Sequence, residues 1–160
     1  MWVGSSGEHD DGIRFDLKAN VYLGRRLVGS GDLDGASGGG DRFRDAILDA
    51  IPLNLPAPVS VSPGESLSIQ VLARNACSGS RQRRGKAKLW YDGREIDSGP
   101  TRDAGSRFDA TIGGSSREYF LRKHFDLSNE AGDARTFVET RTSERCGEFQ
   151  SLGLWSARLP

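Results

Sequence analysis

Residues 13–23 read IRFDLKANVYL, and they constrain the fold more than any other stretch. Ile13, Phe15, Leu17, Ala19, Val21 and Leu23 alternate with Arg14, Asp16, Lys18, Asn20 and Tyr22. A period of two over this length puts every apolar side chain on one face of a strand and every polar one on the other. A helix cannot satisfy that pattern, so the element has to be a half-buried strand with a partner layer over its apolar face.

The same pattern recurs downstream. Leu67, Ile69, Val71 and Ala73 alternate with polar neighbours, and Ala87, Leu89 and Tyr91 do so again. Asp92-Gly93 is a strong hairpin signal, with a return strand over 94–97. Further short runs fall at Phe108–Ile112, closed by Gly113-Gly114, at Tyr119–Leu127, at Thr136–Thr142 and at Leu152–Leu159. After the turn Gly24-Arg25-Arg26, LVGSGDL reads as a return strand, and residues 29–41, GSGDLDGASGGGD, read as a glycine-rich flexible loop. Residues 42–56 carry both helical and strand spacing, interrupted by Pro52. A strand running into an extended edge fits them best, with a single helical turn as the alternative.

Eight to ten short strands with turn signals between them predict an all-β fold, an antiparallel β-sandwich of immunoglobulin-like or jelly-roll type, with at most one short helical turn. The 160 residues suit one domain. Residues 1–12 read as a flexible N-terminal tail and 13–160 as the sandwich. The 21 glycines fall largely between apolar runs, as turns require.

Charge narrows the partners. Lys plus Arg and Asp plus Glu number 22 each, so the net charge is zero. A protein dedicated to nucleic acid normally carries a basic excess, so that partner class is disfavoured. No run of 18 apolar residues is present, so membrane insertion by a helix is not expected. The start, MWVGSSGEHDDG, has neither the basic nor the apolar region of a signal peptide.

Two cysteines, Cys77 and Cys146, allow one intramolecular bridge. Each lies at the end of a strand-like run beside a turn signal, and a bond would pin those ends if they are neighbours. Two free buried thiols are the alternative. A disulfide places the chain outside the reducing cytosol, in an extracellular or cell-surface setting.

The segment LSIQVLARNAC, the Asp92-Gly93 hairpin and the later Cys146 resemble bacterial extracellular immunoglobulin-like and related β-sandwich modules, over residues 57–160. The resemblance implies a sandwich with a structural or adhesive role. Trp90 stands where such domains place a core tryptophan after the first cysteine. The alternation, however, puts it on the face opposite Leu89 and Tyr91, and Glu144 occupies the position of the usual tyrosine before the second cysteine.

Few residues suit catalysis, and no enzymatic activity is expected. The only histidines, His9 in the polar tail and His124 on an expected strand, supply little base for a serine or cysteine nucleophile. Scattered cysteine and histidine do not make a zinc site. No cofactor is expected, with Ca²⁺ the one ion to consider: Asp32, Asp34 and Asp41 sit on the glycine-rich stretch, and Ca²⁺ takes carboxylates with backbone carbonyls. The ordinary reading of such a stretch is a solvated loop. The basic run RQRRGKAK precedes Trp90, and Arg84, Lys86 and Lys88 with that ring could form a stacking platform for a glycan. A solvated turn followed by a strand is the plainer reading. The partners expected are other protein subunits or surface glycans.

Overall fold

The computed structural model describes residues 1–6, 13–40, 45–77, 85–91, 106–112, 115–120, 136–142 and 146–159. Its elements are all strands: β1 (Trp2–Ser6), β2 (Arg14–Leu23), β3 (Arg26–Ser37), β4 (Ile47–Leu48), β5 (Ser66–Asn75), β6 (Gly85–Tyr91), β7 (Arg107–Ile112), β8 (Ser115–Phe120), β9 (Thr136–Thr142) and β10 (Gln150–Arg158). No α-helix occurs among the described residues.

Two four-stranded sheets and one hairpin organise these strands. Sheet A has the order β4-β1-β6-β9, sheet B the order β10-β5-β2-β3, and β7 pairs with β8. All strand pairings are antiparallel. The all-β expectation holds, and the alternating stretches behave as the pattern demands. Phe15, Leu17, Ala19 and Val21 of β2 and Ile69, Val71 and Ala73 of β5 face inward, joined by Trp155 of β10. Val3, Ala87 and Leu89 of sheet A belong to the same core cluster. Burying these side chains together is the main favourable contribution to the fold.

β2 turns into β3 through Gly24-Arg25, with Gly24 at φ +59°. A positive φ at the first turn position is what a two-residue hairpin of this kind requires, and glycine supplies it without a steric cost.

Two expectations need correction. The N-terminal twelve residues are not simply a tail: Trp2–Ser6 is β1, paired to β6 and β4, with Val3 fully buried. Residues 7–12 lie outside the described residues. The glycine-rich 29–41 stretch is not a loop through Ser37, because β3 runs unbroken from Arg26 to Ser37 along β2. Its glycines serve packing instead. Gly29 and Gly31 lie on the inner face, where an added Cβ at Gly31 would sit 2.1 Å from the Pro52 carbonyl oxygen. Residues 42–56, where described, are extended: two residues form β4, and Asn54 makes an antiparallel bridge with Ser30. Of the run expected over Tyr119–Leu127, Tyr119 and Phe120 belong to β8, and 121–135 lie outside the described residues. The Asp92-Gly93 turn and its return strand also lie outside them.

Candidate functional site

The aromatic and basic residues singled out as a platform do not form an open one. β6 places Lys86, Lys88 and Trp90 on the face of sheet A opposite Ala87 and Leu89, as the alternation requires. That face is nevertheless covered here: Trp90 is 8% exposed and Lys88 5%. The Lys88 ammonium lies 5.9 Å from the Trp90 ring centroid. The indole lies over Gly4 of β1, and the Trp90 carbonyl accepts a hydrogen bond from the Ser106 hydroxyl at 2.6 Å. A ring this enclosed has no face left for a sugar to stack on, so Trp90 and Lys88 are packing residues. Lys86 is half-buried. Arg84 lies outside the described residues.

The expected disulfide is present. Cys77 and Cys146 are bonded at the neighbouring ends of β5 and β10. Both strands belong to sheet B, whereas the bridge of immunoglobulin domains crosses between sheets. Cys146 has φ +57°, the only positive value at a non-glycine among the described residues, and its amide donates to the Asn75 carbonyl at 3.3 Å. Strained backbone of this kind persists where the surroundings hold it, here a covalent bond and a hydrogen bond.

Beside the bridge, Asp16 organises a compact polar cluster. It is 2% exposed, yet its carboxylate accepts from Arg74 Nε at 3.1 Å, from the Gly35 amide at 3.0 Å and from the Cys77 amide at 3.2 Å. Such donors compensate the cost of burying the charge. The Arg74 guanidinium in turn lies 4.4 Å from the Phe149 ring centroid. Three strands and the disulfide thus converge on one carboxylate.

The acidic stretch considered for Ca²⁺ is taken up by strand structure. Asp32 and Asp34 lie on β3, and Asp32 pairs with Lys18 at 3.4 Å. Asp41 lies outside the described residues. Among the described residues no group of three His, Cys, Asp or Glu side chains converges as a metal site would require. His9 and His124 lie outside the described residues.

The feature that sequence reading missed is a strap, residues 47–56, laid along the β3 and β4 side of the molecule. It is held by β4 against β1, by reciprocal backbone bonds between Met1 and Asp49, and by the pair of bonds between Ser30 and Asn54. Ile51 and Leu53 pack partly against the core. On one flank a cleft of about 360 Å³ is bounded by Ile51, Leu53, Ile69 and Phe108, with Asp49 and Asp109. On the other a shallow cleft of about 510 Å³ is lined by Leu27–Asp32 together with Pro52, Asn54 and Pro56. Burial pushes the Asp49 carboxyl above its ordinary range, and the chain's amino group partly offsets this.

Apolar side chains stay in solvent along the strap. Ile47, Leu48 and Leu55 are exposed, Leu48 to 59%, and Leu27 of β3, which shares a cleft with Pro52 and Pro56 of the strap, is exposed too. Among the described residues these are four of six large exposed hydrophobics, the others being Val61 and Leu154. The signal available in the sequence was Gly29 and Gly31, spaced by two and therefore on one face of a strand. Comparison with protein-family models, with curated proteins and with solved structures returns no match for this chain.

Proposed function

We propose that this chain is a non-catalytic extracellular module with a structural or adhesive role, binding other protein subunits through the side formed by the strap and β3. The observation that carries the reading is that the strap leaves Ile47, Leu48 and Leu55 in solvent, with Leu27 of β3 exposed as well. Large apolar side chains left in solvent along one segment suit a protein contact. The Cys77–Cys146 bond supports an oxidising compartment, where such bridges persist. β4 adds a second element, because its outer edge has no strand partner among the described residues. Unpaired strand edges take up further strands readily.

Sedimentation velocity over a wide concentration range tests the reading. Self-association is expected to grow with concentration, and to be lost in a Leu48→Asp, Leu55→Asp variant that keeps the wild-type circular dichroism. A wild-type chain that stays monomeric at the highest concentration reached, and that cross-links to no co-expressed surface protein, would overturn it.

A further inference from the structure

We propose that the slot filled by β1 in sheet A takes the β1 strand of a second copy of this chain, so that copies join by exchanging Trp2–Ser6. This rests on the reading of the chain as an assembling module, and it names both the partner and the segment.

The position of β1 is the first reason. It lies inside sheet A, between β4 and β6, yet the strand that follows it in the chain, β2, belongs to sheet B. Its neighbours come from residues 47–48 and 85–91. Sheet A is therefore complete only when this slot is filled by a strand whose covalent connection leads out of the sheet.

The slot also selects its occupant. Val3 enters the core. Gly4 faces the Gly40 carbonyl and the Trp90 indole so closely that a Cβ would stand 2.9 Å and 3.1 Å from them. The Ser5 amide donates to the Gly39 carbonyl at 2.8 Å, and the Ser5 hydroxyl donates to the same oxygen. The Trp2 amide donates to the Ser106 hydroxyl at 2.9 Å. Each contact is made to a part of the chain distant in sequence, so β1 from another copy would make the same ones. Val3 is the only large apolar side chain of β1 in the buried core. Most of the hold is main-chain pairing to β6, over five residue pairs, which an identical strand reproduces.

The connection is long enough. Residues 7–12, GEHDDG, join β1 to Ile13. Six extended residues reach up to about 20 Å, roughly twice the spacing of about 10 Å between packed sheets. The surplus lets β1 reach a neighbouring copy while β2 stays in its own sheet.

The test uses the full chain and a fluorescein-labelled synthetic peptide of sequence MWVGSSG. The two are mixed under native conditions, and also during refolding by dilution from urea, then separated by gel filtration. The peptide is expected to co-elute with the protein, and a Gly4→Val version to do so at least tenfold less. Wild-type chain is followed by sedimentation in parallel. Association together with glycine-selective uptake supports the exchange. Association without uptake overturns it and leaves the assembling-module reading intact. Uptake by a chain that stays monomeric overturns exchange between copies, because β1 then always returns to its own slot. Neither uptake nor association removes both readings.

Discussion

Replacing Gly31 by alanine would place a methyl group 2.1 Å from the carbonyl oxygen of Pro52, with Ile51 Cγ2 3.0 Å away. Ordinary contact needs well over 3 Å, and the obstructing atom is backbone, so the strap has to move by more than an ångström. The movement breaks the reciprocal Ser30 and Asn54 bonds of 3.3 Å and 2.9 Å, a loss of about 1 kcal/mol each. It also lifts Ile51 and Leu53 from their partial burial, at about 1 kcal/mol each. Alanine restricts the unfolded chain relative to glycine and returns about 0.5–1 kcal/mol. The net expectation is a loss of about 3 kcal/mol, or roughly 6–12 °C in melting temperature for a chain of this size. Gly35→Ala is the control: nothing lies within 4 Å of its Cβ, but its φ is +67°. It should cost about 1–2 kcal/mol from backbone strain alone and leave the strap in place. Urea unfolding measures both, and limited proteolysis reports on the strap, with faster cleavage within 47–56 expected only for Gly31→Ala. A Gly31→Ala protein as stable as wild type, or cleaved no faster, would refute the account of the strap as seated on these two glycines.

Two further expectations follow from the covalent and titratable groups. Cys77→Ser with Cys146→Ser opens a loop of sequence separation 69 and should lower stability by about 4 kcal/mol, read by calorimetry; a melting temperature within two or three degrees of wild type would contradict this. For Asp49, the raised folded-state pKa means a contribution fully present below the ordinary value of 3.8 and lost as pH rises through the folded value. Asp49→Asn should therefore be more stable than wild type at neutral pH, with the gap in urea midpoint closing on acidification; a gap that does not change with pH would argue against burial as the cause.

Local alternation carried the reading of sheet B. β2 and β5 each present apolar residues every second position, and one buried face is enough to fix that pattern. β1 escaped because its pattern is short and made of small residues: Gly4 and Ser5 are there to fit against Gly39, Gly40 and Trp90, which are brought together only by the fold. β3 was legible at its start, as a return strand over LVGSGDL, but not in its length to Ser37, because glycines spaced along it resemble loop residues until the strap that needs Gly29 and Gly31 is known. Alternation alone did not decide the burial of Trp90. Alternation places a side chain on a face, but whether that face is covered depends on chain far away in sequence. The disulfide was legible because turn signals put both cysteines next to strand ends; that the strands it joins are β5 and β10 was not.

The placement of that disulfide has a consequence for how β10 is counted into its sheet. Cys77 and Cys146 stand four residues beyond the pair Ala73 and Gln150 on either strand, in the same phase of the ladder. Between Ser151 and Gly153 the pairing slips by one residue, which lets Leu152 turn inward and still brings Trp155 opposite Ile69 on the core face. A strand that can absorb one extra residue could equally absorb none or two, and each miscount would exchange Trp155 for Leu154 at the core. The bond settles the count. By tying down the start of β10, it makes the single-residue slip the only alignment in which the rest of the strand keeps its apolar side inward.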